Sequence, residues 1–175
     1  LLLSGDDPTP LPWWPTSMGG ATDRPPGSGS YARMVHVDVW SDIVCPWCFL
    51  GHRRFHAALT RVPELTVDVR WRAFELDPHA PREPQDLVAV LEMKYGPGAH
   101  ARMTERLTAL GAAEGIEYRF DLARRVNTFD AHRVVAWSAT QPHGQDPVVE
   151  ALFTAYFTRG ADVGDPDTLA AIVDG

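Results

Sequence analysis

The chain has 175 residues, 45% of them hydrophobic, with a formal net charge of -7 and two cysteines. That length can bury one substantial core, or two lobes if helices are inserted. The negative balance offers no field for a phosphate backbone, which argues against nucleic acid as a partner. No apolar run approaches the roughly 20 residues of a membrane-spanning helix, so a soluble protein without a membrane partner is expected.

Residues 1–33 are rich in Pro, Gly and Ser and show no periodicity, the signature of a disordered extension. Trp13 and Trp14 fall in it, and Met34, directly before the first strand-like run, is a candidate natural start. Leu1 to Leu3 falls short of the roughly 7 to 15 apolar residues of a secretory signal, which points to the cytoplasm. From Val35 the pattern becomes regular. Val35, Val37 and Val39 alternate with His36, Asp38 and Trp40, the two-residue period of a strand. Pro46 suits a first helical position, and the helix it opens should run to about Leu59. Leu65, Val67, Val69, Trp71 and Ala73 then alternate with polar residues as a second strand. A strand, helix, strand crossover makes its two strands parallel neighbours.

The remainder reads as helical. A proline-broken loop over Leu76 to Pro84 leads to a helix from Pro84 to Tyr95, stopped by Gly96-Pro97-Gly98. A further helix fits Ala99 to about Ala113. Asn127 or Thr128 can cap one that reaches about Gln141. Asp146-Pro147 and Asp165-Pro166 repeat one start signal, a carboxylate cap with proline in the first turn, and Gly160 and Gly175 supply stops.

Chemistry concentrates in WSDIVCPWCFLGHRRF, residues 40–55, which holds both cysteines. As a staple, a Cys45–Cys48 disulfide closes so short a loop that it contributes roughly 2 kcal/mol, against nearly 5 for a hundred-residue loop. As a metal site it is incomplete: Cys45, Cys48 and His52 need a distant His or Asp, and no second cysteine pair exists. No metal is therefore expected. As a redox couple the local setting fits. A cysteine at a strand-to-helix junction faces unpaired N–H groups and the positive helix end, which lower its pKa. Cys45 is accordingly expected to be the acidic, attacking sulfur, and Cys48, one turn on, the resolving one. Pro46 and Trp47 lie between them. Trp47 is equally consistent with an apolar substrate surface and with a core residue. Asp42 can tune the thiol or take its proton, while its charge opposes a thiolate; both roles stay open.

The segments VDVWSDIVCPWCFLGHRRF (37–55), FELDP (74–78), NTFDAHR (127–133) and VVEALFTAYF (148–157), in this order, resemble the DsbA family and its FrnE-like branch. The resemblance implies an α/β, thioredoxin-like fold with an inserted helical domain. It assigns 34–78 to the first half of the thioredoxin-like domain and 79–175 to the insertion. It also implies thiol-disulfide oxidoreductase activity on a thiol- or disulfide-containing protein or small molecule, with no cofactor. The same family includes glutathione-dependent isomerases and transferases, of the 2-hydroxychromene-2-carboxylate isomerase or kappa type, for which glutathione is a co-substrate. A redox-sensing module without catalysis is a third reading. Family members complete the sheet with two further strands, a helix and a cis-proline loop. Nothing after Gly160 reads as these, so the C-terminal part of the sheet is expected to be missing and the second strand to keep an unpaired edge.

Asn127 and Thr128 are candidate substrate-binding residues beside Asp130 and His132, as the resemblance suggests, although an Asn or Thr before a helix is first of all a cap. His79 is expected at the surface, Arg53 and Arg54 on a solvated face, and Trp71 and Trp137 in the core. Oligomeric state is not legible.

Overall fold

In the computed structural model, residues 33–174 are described. The expected disordered extension, Trp13, Trp14 and the Gly175 stop lie outside them. Strand β1 (Arg33–Ser41) pairs in parallel with β2 (Leu65–Ala73), in register from Arg33 opposite Leu65 to Ser41 opposite Ala73. Helix α1 (Pro46–Leu59) makes the crossover, with Pro46 in its first turn as the sequence requires. Helix α1 and β2 have the boundaries read from the sequence, and β1 starts two residues before Val35 and ends one after Trp40.

The next helix starts later than expected. Gln85 and Asp86 form a short strand, β3, antiparallel to β4 (Arg124–Arg125), and α2 spans Leu87–Tyr95. The Asp86 carboxylate accepts from the N–H groups of Val88 and Ala89, so capping fixes this start. Gly96 and Gly98, with φ of 87° and 73°, turn the chain where a side chain would be strained. Helices α3 (Ala99–Ala113), α4 (Phe129–Ser138), α5 (Asp146–Phe157) and α6 (Pro166–Asp174) follow. No described helix is long and apolar enough to cross a membrane.

The core forms where α1 meets α3 and α5. Phe49 stacks on Phe153 at 5.0 Å and meets Tyr118 edge-on at 5.9 Å. Leu50, Trp71, Leu107, Phe120, Leu152 and Phe157 belong to the same cluster. Each such side chain contributes roughly 1.5–3 kcal/mol by leaving water. Gly111 has a packing role: a Cβ there would meet the Tyr118 ring at 2.4 Å. Its absence lets Tyr118 lie flat against α3 with its hydroxyl directed at α1.

Three expectations change. Trp137 is 48% exposed rather than core, because α4 buries Ala131, His132, Val135 and Ser138, a stripe that excludes it. Asp146 does not cap α5. Gln145 precedes the helix, and the Asp146 carboxylate instead accepts the Trp71 indole N–H at 2.5 Å. Asp165 does act as the second Asp-Pro pair suggests, accepting from the N–H and hydroxyl of Thr168. Among the described residues β2 has no strand on its outer edge, as expected, but one point of that edge is covered. Gln145 accepts the Trp71 N–H at 2.9 Å and donates to the Trp71 carbonyl at 3.1 Å, one side chain standing in for a neighbouring strand. Finally, α4 ends at Ser138, short of Gln141.

Candidate active site

Cys45 occupies the extended position immediately before α1 (φ -91°, ψ 110°), and its carbonyl accepts from the N–H groups of Cys48 and Phe49. Both cysteines are free thiols and half-buried. The Tyr118 hydroxyl donates to the Pro46 carbonyl at 2.5 Å, fixing the turn between the sulfurs from the segment that follows α3.

The two thiols share a proton between them, and that coupling is the first cause of their shifted acidity. Cys48 is lowered from 9.0 to about 6, first because the Cys45 thiol donates to it; its burial pushes the other way. Cys45 is raised, first because it keeps the shared proton, then by burial and by the Cys48 charge. The backbone N–H groups of Trp47 and Cys48 do face Cys45 and oppose this rise, as the capping position implied. The thiol-thiol bond outweighs them. The two sulfurs therefore titrate as one pair, which releases one proton easily and one with difficulty.

Behind the pair lies a buried carboxylate. Asp42 is 1% exposed; it accepts the Leu76 N–H at 2.7 Å and lies 3.5 Å from His132 Nε2, with the Thr128 side chain beside it. Burial raises its pKa, but these partners together hold it below the usual carboxylate range. Asp42 is thus an anion fixed by its own partners, with its charge opposing ionisation of Cys48.

In front of the pair, α2 and α3 wall a mainly apolar groove of about 620 Å³ that reaches Cys45, Pro46 and Trp47 but not Cys48. Leu76, Leu87, Leu91, Met103, Leu107 and Phe120 line it, with His100, Arg102 and Arg106 as its basic groups. Helix α2 has no fully buried residue despite its apolar sequence. Its half-buried Leu87 and Leu91 line this groove, and Leu87 also packs against the core cluster. Trp47 is 52% exposed on the groove wall.

Asn127 and Thr128 stand elsewhere. Asn127 accepts the Phe129 N–H at 3.0 Å as a cap, and Thr128 is buried beside Asp42; neither lines the groove. His79 is exposed. Arg53 and Arg54 are ion-paired, with Glu150 and Glu114. The groove residues of α2 and α3 were not singled out by sequence, although the run LVAVL in α2, apolar on every side, is the signal that marks them.

A family model, the DSBA-like thioredoxin domain, matches residues 36–174. The uncharacterized protein YwbO of Bacillus subtilis is 26% identical over 141 residues, 80% of this chain and 65% of that protein. A crystal structure described as a probable DsbA oxidoreductase of Streptomyces coelicolor superposes with a TM-score of 0.72 at 34% identity, covering 80% of this chain and 62% of that one. The structure of 2-hydroxychromene-2-carboxylate isomerase gives 0.56 at 16% identity, over 80% and 64% of the two chains, a likeness of fold. The chain thus spans just under two thirds of the length of these relatives. With its parallel β-α-β unit, its dithiol at the start of α1 and the matched domain, the chain belongs to the DSBA-like thioredoxin domain family.

Proposed function

We propose that this chain carries the redox centre of a thiol-disulfide oxidoreductase, acting through Cys45 and Cys48 on a protein or small molecule whose thiol or disulfide lies beside an apolar segment. One observation carries this reading: two free thiols at a helix start, of which only Cys45 opens onto the groove. In the reducing direction the pair begins as a monoanion. The proton shared between the sulfurs passes from Cys45 to Cys48, leaving the Cys45 thiolate facing the groove. That thiolate attacks a substrate disulfide, the Cys45–substrate bond forms, and the departing substrate sulfur takes up a proton from solvent. Cys48 then loses its proton and attacks Cys45, releasing the second substrate thiolate and leaving the Cys45–Cys48 disulfide. Oxidation of a substrate dithiol is the reverse. Leu87, Leu91 and Trp47 supply an apolar surface for the segment flanking the substrate sulfur.

Reduction of insulin by dithiothreitol, followed as turbidity, tests this. The intact chain should accelerate it, and Cys45→Ser should abolish the acceleration. Cys48→Ser should instead accumulate a mixed disulfide at Cys45. Unchanged activity in Cys45→Ser removes the proposal. A second reading takes glutathione as the bound thiol, with an isomerase or transferase reaction; Arg102 and Arg106 on the groove suit its carboxylates. It requires turnover of an aromatic substrate with glutathione to survive in Cys48→Ser.

A further inference from the structure

Two pairs of potential ligands meet where α1 packs on α5. His52 and His56 are four residues apart on α1, and Asp146 and Glu150 four apart on α5, so each pair shares a helix face. His52 Nδ1 lies 3.1 Å from Glu150 Oε2, and His56 Nε2 lies 3.6 Å from Asp146 Oδ1. Ligand atoms of His52, His56 and Asp146 all fall within 4.8 Å of one another.

These close approaches do not satisfy the groups involved. His52 is 5% exposed, yet neither ring nitrogen has a hydrogen-bond partner, and His56 Nε2 and Glu150 Oε2 are also buried without one. Buried polar atoms left in this state are costly and uncommon. Atoms that are near one another but misaligned for mutual hydrogen bonds have the geometry of donors converging on a shared centre. Zinc bonds of about 2.0–2.2 Å set tetrahedral donors about 3.3 Å apart, and the two cross-helix separations of 3.1 and 3.6 Å bracket that spacing.

We propose that His52, His56 and Asp146 bind a divalent transition-metal ion of zinc type, with Glu150 as fourth ligand once it exchanges its ion pair with Arg53 for the metal. Two imidazoles and two carboxylates suit such an ion. The Trp71 indole N–H, donated to Asp146 Oδ1, orients that carboxylate from outside the ligand set. Neither sulfur belongs to the cluster, so the site is distinct from the dithiol although both are built on α1. The bound ion clips the helix that carries the redox pair to the helical layer and stabilises the fold by mass action.

The test uses the full chain with Cys45→Ser and Cys48→Ser, so that thiolates take no part, titrated with zinc against a chromophoric chelator and separately with cobalt. One zinc per chain is expected, along with a cobalt spectrum showing visible ligand-field bands and no thiolate charge transfer. Long-range imidazole NMR should show the His52 and His56 rings shifting together on zinc addition. The side chains of His56 and Asp146 are 37% and 40% exposed, so His56→Ala and Asp146→Asn should keep the fold, as checked by circular dichroism. Each should weaken binding by more than about tenfold. Absence of stoichiometric binding, unshifted imidazole resonances, or undiminished affinity in either variant overturns the site and leaves two histidine-carboxylate pairs.

Discussion

Replacing Cys45 with alanine removes the thiol that donates to Cys48, the first cause of the latter's fall from 9.0 to about 6. Burial and the Asp42 charge, both of which raise Cys48, then act with less opposition, and the midpoint should move upward toward the ordinary thiol range. At pH 7 a thiol with a pKa near 6 is about 90% ionised, against about 1% near 9, a ratio of roughly 90. Reactivity moves much less. Intrinsic nucleophilicity falls with basicity by a coefficient of about 0.4–0.5, so three units return about 20-fold and leave a net gain of only about fourfold. A single alkylation rate at neutral pH is therefore a poor discriminator, and the midpoint is the quantity to measure. NMR of cysteine labelled at Cβ with carbon-13, assigned with Cys45→Ala and Cys48→Ala, gives it for each sulfur. The intact protein should show the larger Cys48 shift centred near pH 6, and Cys45→Ala should show that midpoint raised. A Cys48 resonance that titrates at the same pH in both proteins refutes the role given to the thiol-thiol bond.

Three further outcomes follow from the packing. Phe49→Ala, which leaves a void between Phe153, Phe157 and Tyr118, should cost about 3–5 kcal/mol, read as a lower urea midpoint. Gln145→Ala removes the bonds to Trp71 N–H and both the Trp71 and Val135 carbonyls. It should cost about 1–3 kcal/mol and, by baring the β2 edge, raise the oligomer fraction in size-exclusion chromatography. Asp42 has a lowered pKa in the fold, so it contributes stability that is complete above the unfolded value of 3.8 and is lost as pH falls through the folded value. Asp42→Asn should be less stable at pH 7, and its stability should fall less steeply below pH 4 in acid denaturation.

Much of this was legible where the signal is local. Strict alternation gave β2 residue by residue and β1 from Val35 to Trp40, and Pro46 marked the start of α1 because a proline there needs no N–H partner. Local signals failed where a distant group competed. Asp146-Pro147 and Asp165-Pro166 look alike, but Asp146 is claimed by an indole 75 residues away, whereas Asp165 keeps its own helix. Trp137 was assigned by size alone, and the phase of α4 turned it outward. At the dithiol, the helix start was read correctly. The coupling between the sulfurs depends on side-chain rotamers that no spacing specifies. The histidine and carboxylate pairs are visible as two four-residue spacings, yet only the packing of α1 on α5 brings them together.

The central claim is that Cys45 and Cys48 exchange electrons as a couple. It is tested most directly by equilibrating the chain in buffers of graded glutathione ratio, quenching with acid and counting thiols by mass spectrometry. The account predicts a single two-electron transition from two free thiols to none, with the Cys45–Cys48 disulfide as product. A chain that stays fully reduced across the series, or that ends with glutathione attached to one cysteine and the other still free, contradicts it.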